Sequence, residues 1–426
     1  MRAGDRGSTR HLPVRPDLTQ LTHQARDLQR QARAGDPAAA AELRASLGAA
    51  VPPGAATLAQ ARFALARSYG VASWPRLAEA CRLVDAIWRD EVLAVRAMVR
   101  RRPALLVEMA RGTVRCNWGP PMSYAANLGR DAIVRMLWDL GARDVEGAVG
   151  RAVLQGRLAT ATLLRDLAGR PPLPPGAVMG PCETLNAEGL AYVLDLGAAV
   201  ADGAGDPRAP VALVLGTYSR RPRGKHACLE LLLRHGVALP DTPPMAVHRG
   251  RVDLLARHLE ADPGLLDRTF AYDAFFPPAL GCHPDDGAAC TGTPLGGATL
   301  LHMAIDYGEL DIAAWLLDRG MDPDTPAAIT GGWGGHTALF GAVVSYAARI
   351  GLTYPGVPAD RDPFADLLLS RGASPNPRAS LRSRLHVDSW HEYRDVTPLG
   401  WGARFHDPLV VSQAAMQAIA ARGGRV

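Results

Sequence analysis

The fold of this chain is decided by the segment Thr299-Leu-Leu-His-Met-Ala-Ile-Asp-Tyr-Gly308-Glu-Leu-Asp-Ile-Ala-Ala-Trp-Leu-Leu-Asp-Arg-Gly320, which contains two short helical patterns and a turn. Thr299 can cap the first helix, and Ala304 is small enough for the second helix to approach closely. Gly308 and Gly320 stand where the chain leaves a helix with positive φ. Because one helical hairpin cannot bury its own apolar face, the segment predicts similar hairpins packed on both sides.

Other parts of the chain repeat this pattern. Residues 121–142 repeat the pattern of residues 299–320 without a gap, with Gly129 and Gly141 matching Gly308 and Gly320, and weaker copies end near residues 164, 198, 236 and 255. Two further copies begin at Thr337 and Thr397, and the second helix of the Thr337 copy arrives only at residues 364–370. These copies predict about eight helix pairs.

The repeated segments resemble the ankyrin repeat, whose motif is Thr-Pro-Leu-His followed by Ala, a turn Gly, Leu-Leu and Gly-Ala. The resemblance is close at 299–320, good at 121–142 and degenerate elsewhere, and it spans residues 85–426. It implies an all-α fold, an ankyrin-repeat solenoid of helix pairs. Long loop insertions are expected near residues 264–298, 346–361 and 374–396.

The residues before the repeats divide into two parts. Residues 1–16 are polar and interrupted by proline, so they are predicted to be a disordered lead. Residues 17–84 are predicted to form a small helical module, with helix starts at Asp36, at Thr57 and at Ser73. Residues 17–77 also resemble the amino-terminal helical module of a group of bacterial ankyrin proteins with no assigned reaction, through the segments 26–28, 34–37, 66–70 and 73–75.

Composition indicates a bacterial, cytoplasmic protein. Lys225 is the only lysine, and the abundance of Arg, Ala, Gly and Pro is typical of a GC-rich genome. The six cysteines are scattered along a long chain, which favours reduced thiols over a disulfide framework. No secretory signal is recognised, and no apolar run approaches the ~18 residues that a membrane helix needs, so no membrane partner is expected.

The predicted function is protein–protein interaction. We expect a scaffold that binds another protein through its concave face and through the stacked inter-repeat segments 264–298, 321–336 and 374–396, which are rich in aromatic residues. Aromatic and arginine side chains are the usual anchors of interfaces. The predicted contact residues are Trp333, Trp390, Tyr393, Phe275, Phe276 and Arg394. The alternative is that these loops fold back and bury their rings against the helices.

An enzyme or metal-binding protein is the second class considered. Cys282, His283, Asp285, Asp286 and Cys290 lie in one loop, and His386, Asp388 and His391 lie in another, with His336 between them. A site assembled from His283, His336, Asp388 and His391 would suit zinc or iron. No tight metal-ligand spacing and no nucleophile motif is present, so no enzyme activity, metal or cofactor is predicted.

Charge patterns raise two further possibilities. Residues 1–116 contain 19 Arg against 10 acidic residues, so the amino-terminal module could contact an anion or a nucleic acid. A solvated, positively charged surface is the simpler interpretation. Nucleic acid is therefore not the expected partner. The run Ser219–Lys225 holds four positive charges and is expected to be a solvated loop tip or a binding site for an acidic group.

His302 is expected to form a hydrogen bond between repeats. His406 and Asp407 form a doublet without the partners that a metal phosphohydrolase requires.

Overall fold

The computed structural model describes residues 10–52, 54–113, 117–285 and 290–426. The chain divides into two compact units, Met1–Pro172 and Leu173–Val426. The division does not coincide with the module boundary predicted near residue 84, because the first repeated helices pack with the amino-terminal helices.

The first unit is helical throughout its described residues. Its helices are α1 (Leu18–Arg33), α2 (Pro37–Leu47), α3 (Leu58–Ser68), α4 (Trp74–Trp88), α5 (Val92–Arg101), α6 (Pro121–Leu128), α7 (Asp131–Asp139), α8 (Val145–Leu154) and α9 (Leu158–Leu167), with a 3-10 turn at Pro103–Leu106. Helices α4 and α5 contact α6 and α7, respectively. Trp88 at the end of α4 donates a hydrogen bond from Nε1 to the hydroxyl of Tyr124 in α6 at 3.2 Å, so the predicted module continues directly into the helix pairs.

The predicted helix starts in the first unit are confirmed. Asp36 accepts a hydrogen bond from the backbone N–H of Ala39 at the start of α2. Thr57 and Gln60 form a capping box at α3, and Ser73 accepts a hydrogen bond from the backbone N–H of Arg76 in α4. Each cap satisfies a backbone donor that has no partner inside its helix.

The prediction of a disordered lead is wrong for residues 10–16, while residues 1–9 lie outside the described residues. Leu12 is buried in a cluster with Leu21, Leu65 and Val71. Its carbonyl accepts a hydrogen bond from Arg111. The reason is that an isolated apolar side chain in a polar, proline-broken segment finds a pocket between α1 and α3, which composition alone does not reveal.

The second unit contains fourteen helices and two strands within its described residues. They are α10 (Met179–Glu183), α11 (Ala187–Asp195), α12 (Ala209–Gly216), α13 (Pro222–Arg234), α14 (Pro243–His248), α15 (Val252–Ala261), α16 (Tyr272–Phe275), α17 (Leu300–Asp306), α18 (Leu310–Asp318), α19 (Ala338–Val343), α20 (Tyr346–Ile350), α21 (Pro363–Ser370), β1 (Ala379–Ser383), β2 (His391–Val396), α22 (Pro398–Arg404) and α23 (Gln413–Ala421). Short 3-10 turns lie at Pro263–Leu266, Pro278–Leu280 and Pro408–Val410.

Helix pairs occupy all eight segments in which the repeat pattern occurs. Two pairs, α6–α7 and α8–α9, belong to the first unit, and six belong to the second. Within the second unit the first helices of neighbouring pairs contact one another, as α17 contacts α14 and α19. Each pair thereby buries the apolar face that its neighbour exposes.

His302 connects neighbouring pairs, as predicted. Its Nδ1 accepts from Thr299, and its Nε2 donates to the backbone carbonyl of His336 at 3.0 Å. The Nε2 of His336 in turn donates to the carbonyl of Pro294 at 3.0 Å. The imidazoles of both residues are buried, so these bonds tie the entry of α17 to the segment that precedes α19.

The all-α prediction is wrong in the segment 374–396, which was expected to be a loop insertion. There β1 and β2 form a two-stranded antiparallel sheet, with Leu381 opposite Tyr393. Tyr393 packs edge-on against Trp401 of α22, with ring centroids 4.7 Å apart. The hairpin forms because its inward residues are covered by the last helix pair, and a free hairpin of this size would be marginal in water.

No helix among the described residues is both long and apolar enough to cross a lipid bilayer.

Candidate functional site

An alternating stack of arginine and tryptophan side chains lies on the second unit. We call it the Arg–Trp surface, and it consists of Trp333, Trp390, Arg382, Arg384 and Arg394. The guanidinium carbon of Arg394 lies 3.4 Å from the ring centroid of Trp333. Arg382 lies 4.5 Å from the Trp390 centroid and 5.9 Å from that of Trp333, and Arg384 lies 5.0 Å from Trp390. These distances are those of cation–π contacts.

Two elements position the surface. Arg382 belongs to β1, Arg394 to β2, and Arg384 and Trp390 lie in the connection between the strands. Trp333 lies in a tight turn in which Thr330 and Trp333 exchange backbone hydrogen bonds. The turn is fastened to the hairpin by paired backbone bonds between Gly334 and Ser380.

Gly334 allows this turn to approach the preceding backbone. Its φ is +124°, and a Cβ atom at this position would lie 2.2 Å from the carbonyl oxygen of Ala328. Only glycine tolerates both the backbone conformation and the contact. The conformation of residues 330–334, and with it the location of Trp333, therefore depends on this glycine.

A cavity of about 280 Å³ opens beside the Arg–Trp surface. Trp333 and Arg382 form one part of its wall, and Tyr272 from the insertion before α17 forms another. Gly297, Thr330 and His336 also line it. The cavity thus brings together all three inter-repeat segments that were predicted to carry the binding site, 264–298, 321–336 and 374–396.

The charges on this surface are nearly balanced. Arg384 forms an ion pair with Asp285, and Arg394 lies 3.5 Å from Glu392. Arg378, just before β1, is paired with Asp395 at 2.6 Å. The Arg382 side chain has neither an ion pair nor a hydrogen bond within the part of the chain that the structure describes, although Glu392 stands opposite it across the hairpin. Arg382 is therefore the arginine of the stack whose guanidinium has no paired carboxylate.

Three of the six predicted contact residues belong to this surface. Trp390 is 37% exposed, Trp333 is half-buried, and Arg394 is exposed. These three residues lie together because the turn and the hairpin are hydrogen-bonded to each other. Along the chain, Trp333 is 57 residues from Trp390 and 61 residues from Arg394.

The other three predicted contact residues are buried, so the structure does not offer their side chains to a partner. Phe275 and Phe276 are 0% and 2% exposed, and Tyr393 is 4% exposed. Phe276 packs against His248 and Tyr307, with centroids 5.9 Å and 6.4 Å away. The alternative interpretation of the loop aromatics, burial against the helices, applies to these rings because burying them removes a large apolar area from water.

Sequence reasoning missed Arg382 and Arg384. The signal was available in residues 379–385, where Ala379, Leu381, Ser383 and Leu385 are buried and the residues between them are not. That alternation is typical of a strand with one buried face, and it places both arginines on the other face. Tyr272 is not among the predicted contact residues either.

The metal site considered from the sequence does not assemble. Among the described residues, no group of three or more His, Cys, Asp or Glu side chains is arranged to hold a metal ion, and Asp286 lies outside them. His336 is buried and bonded to Pro294, whereas His283 is exposed. His391 stacks on His406, with centroids 4.3 Å apart.

The neighbouring residues His406 and Asp407 form hydrogen bonds with different residues. His406 bonds to the Tyr393 hydroxyl through Nδ1 and donates from Nε2 to the carbonyl of Leu385. Asp407 bonds to His386 at 2.8 Å. The two side chains therefore do not converge on a common ligand.

The run Ser219–Lys225 is only in part the solvated loop tip that its charge suggests, because Arg221 and Arg223 are exposed but the other two basic residues are not. Arg220 is 1% exposed and pairs with the buried Asp306 at 2.9 Å. Lys225, in α13, is also buried, and its Nζ lies 2.5 Å from Nδ1 of His248 and 3.4 Å from the ring centroid of Tyr307. Burial lowers the pKa of Lys225 well below its ordinary value, since a charged ammonium group loses its hydration there.

Many arginines of the first unit are paired with carboxylates. Glu79 and Glu108 together contact Arg76 and Arg102, and Asp85 contacts Arg15 and Arg89. A cavity of about 480 Å³ is lined by Arg15, Arg82 and Arg89 but also by Asp17 and Asp85. These pairs reduce the positive field that nucleic-acid binding through this module would require.

One comparison with known proteins identifies a repeat. Residues 296–325, which contain α17 and α18, match the family model of the ankyrin repeat. No curated protein matches the chain. Among solved structures, the crystal structure of the human ASB11 ankyrin repeat domain is similar, with 17% identity over 81% of this chain and 98% of that chain and a TM-score of 0.21. Ankyrin repeats are generally protein–protein interaction modules, and the family is typically non-enzymatic.

Proposed function

We propose that this chain is a protein-binding module and that its partner binds at the Arg–Trp surface and the adjoining cavity. One observation carries the proposal. Side chains from two distant segments, Trp333 in the turn and Arg382, Trp390 and Arg394 in the hairpin, are stacked on one another beside a cavity.

The composition of the surface supports a protein partner. Tryptophan and arginine are the residues most enriched among energetically dominant interface positions. Stacking each guanidinium on an indole holds its long side chain in place, which reduces the conformational entropy lost on binding. The ankyrin-repeat match at residues 296–325 is consistent with this role, because such repeats generally bind proteins.

Removing the two indoles tests the proposal. The double variant Trp333→Ala/Trp390→Ala and the unaltered protein would be used as baits for affinity capture from native lysate, with quantitative mass spectrometry of the captured proteins. We expect the specific partner to be lost from the double variant, by about tenfold or more, since each interface anchor contributes roughly 2 kcal/mol or more.

A matched control is available in α18. Trp315 carries Arg319 over its ring at 4.6 Å, so it forms the same kind of pair away from the Arg–Trp surface. Trp315→Ala should capture the partner as the unaltered protein does. Equal capture by the double variant, with its thermal unfolding midpoint unchanged, would exclude this surface as the binding site.

A further inference from the structure

We infer that the partner presents an acidic side chain, Asp or Glu within a peptide segment, to Arg382 at the cavity beside the Arg–Trp surface. The inference rests on the proposed function and names the chemistry that the partner supplies. It follows from the charges, the stacking and the size of the cavity.

The guanidinium of Arg382 is prepared for a carboxylate. Its contacts within the described residues are to the rings of Trp390 and Trp333, at 4.5 and 5.9 Å. Contacts over a ring engage the planar group without using its N–H donors, which lie in the plane and match a carboxylate with two parallel hydrogen bonds. The donors of Arg382 therefore remain available.

The neighbouring arginines are already engaged by carboxylates. Arg384 is paired with Asp285 and Arg378 with Asp395, and Glu392 lies beside Arg394. Each of these pairs cancels a positive charge on the rim of the surface. Glu392 stands opposite Arg382 across the hairpin but is paired with Arg394, so Arg382 is the one guanidinium of these four without an ion pair, and the surface suits a single carboxylate better than a polyanion.

The indole rings strengthen such a pair. Trp333 and Trp390 exclude water from part of the Arg382 side chain, which is only partly exposed. A charge-assisted hydrogen bond gains strength where the surrounding dielectric constant is lower than that of water. An acidic side chain inserted here would be bound more strongly than at an isolated surface arginine.

The cavity is of a size for one side chain and a short stretch of backbone. Its volume of about 280 Å³ lies at the lower end for ligand pockets, which typically measure roughly 300–1,000 Å³. Thr330 on its wall carries a hydroxyl group that can bond to a peptide backbone, and the Tyr272 ring forms part of the wall. A peptide with one acidic residue among uncharged neighbours fits this description.

Single-stranded nucleic acid fits the surface less well. Base stacking requires free aromatic faces, but each indole already has two guanidinium carbons within 6 Å of its centroid. The carboxylates of Asp285, Glu392 and Asp395 also border the surface and would repel a phosphodiester backbone. An acidic protein segment needs no free aromatic face, and its single carboxylate is repelled by these groups less than a chain of phosphates would be.

The test uses the full chain and a defined peptide array. The probes are acetylated and amidated seven-residue peptides whose central residue is Glu, Gln or Lys and whose other positions are uncharged and randomised. We expect the unaltered protein to prefer Glu over Gln by about tenfold in affinity, the gain of one good charge-assisted pair. Arg382→Gln should reduce binding of Glu peptides to the Gln level.

Two further variants provide the controls. Arg378→Gln removes an arginine of the same hairpin that is already paired with Asp395, and it should leave the Glu preference unchanged. Arg382→Lys keeps the charge and the aliphatic stem but loses the planar fork, and it should weaken Glu peptides about threefold or more. It serves as the second variant if Arg382→Gln lowers the thermal unfolding midpoint.

The outcomes separate this inference from the proposed function. If Trp333→Ala/Trp390→Ala abolishes peptide binding while neither Arg382 variant changes the Glu preference, the acidic ligand is wrong and the binding surface stands. If the double tryptophan variant also binds unchanged, both are wrong. Tighter binding of a ten-thymidine oligonucleotide than of any Glu peptide, lost on Arg382→Gln, would replace the acidic segment with nucleic acid.

Discussion

Buried histidines are the most unusual single residues of the second unit. His302 and His336 are each fully enclosed, and their rings meet edge to face at 5.2 Å. Burial lowers the pKa of His302 to about 4 and that of His336 to about 3, because a charged imidazolium would lose its hydration there. Both residues are therefore neutral at pH 7, with Nε2 as the protonated nitrogen that donates to a backbone carbonyl.

This arrangement predicts acid sensitivity. Between pH 6.5 and about 4 the unfolded chain binds protons at these histidines and the folded chain does not, so the free energy of unfolding decreases as the pH falls through that range. The contribution of His302 is on the order of 3 kcal/mol, from about 1.4 kcal/mol per pKa unit. Urea denaturation at pH 7 and at pH 4.5 measures the change.

Replacing His302 measures the contribution of this residue to the pH dependence of the unfolding free energy. His302→Gln retains a donor and an acceptor but cannot take up a proton, so its unfolding free energy should change less with pH than that of the unaltered protein. His235→Gln alters an exposed histidine and should leave the pH dependence as it was. Identical pH profiles for all three proteins would contradict the assignment of the titration to His302.

At the scale of elements, close helix contacts hold the last repeat together. Gly402 in α22 faces Val343 of α19 and Met416 of α23, where a Cβ atom would lie 2.5 Å from Val343 Cγ1 and 3.0 Å from the Met416 sulfur. The helix pair supports the hairpin that carries Arg382 and Arg394, because Tyr393 of β2 packs against Trp401. The position of the Arg–Trp surface therefore depends on the packing at Gly402.

Adding one methyl group should disturb this contact. Gly402→Ala is expected to destabilise the second unit by about 1–3 kcal/mol, the usual cost of overpacking, despite the higher helix propensity of alanine. Gly150→Ala in α8 is the matched control, because its Cβ meets no atom within 4 Å. Differential scanning calorimetry should show a lower transition temperature for Gly402→Ala only. An unchanged transition would show that α19 and α23 can move apart without cost.

At the scale of the whole molecule, one buried ion pair, Arg220 with Asp306, connects segments that are far apart in the chain. Arg220 donates to the carboxylate of Asp306 and to the carbonyls of Thr217, Ser219 and Cys290. Asp306 also accepts the backbone N–H of Gly292. The pair is thus fully hydrogen-bonded and connects three parts of the second unit: the end of α17, the start of α13 and the insertion between α16 and α17.

Removing the negative charge of Asp306 should cost far more than removing a surface charge. Asp306→Asn keeps the shape of the side chain but leaves Arg220 buried without a counter-ion, and the expected loss of stability is about 3–5 kcal/mol. Asp253→Asn breaks an exposed pair with Arg251 and should have no measurable effect.

Hydrogen exchange with mass spectrometry locates the effect of Asp306→Asn. Amides in α12, α13 and α17 should lose protection, because their hydrogen-bonded connection to Arg220 is weakened. Unchanged protection in all three helices would mean that Arg220 finds another partner and that the pair does not hold these segments together.

The sequence by itself determined the helix pairs, their turns and the caps of the first unit, because those features depend on residues three to four positions apart. It also predicted Trp333, Trp390 and Arg394 as contact residues, and that stays a prediction. Only the tertiary structure decided that Phe275, Phe276 and Tyr393 are buried, that Arg220 and Lys225 lie inside the protein, and that Arg382 completes the surface. The physical reason is that burial and ion pairing are set by partners far away in the chain, 86 residues for Arg220 and Asp306 and 99 residues for Arg384 and Asp285, which local periodicity does not encode.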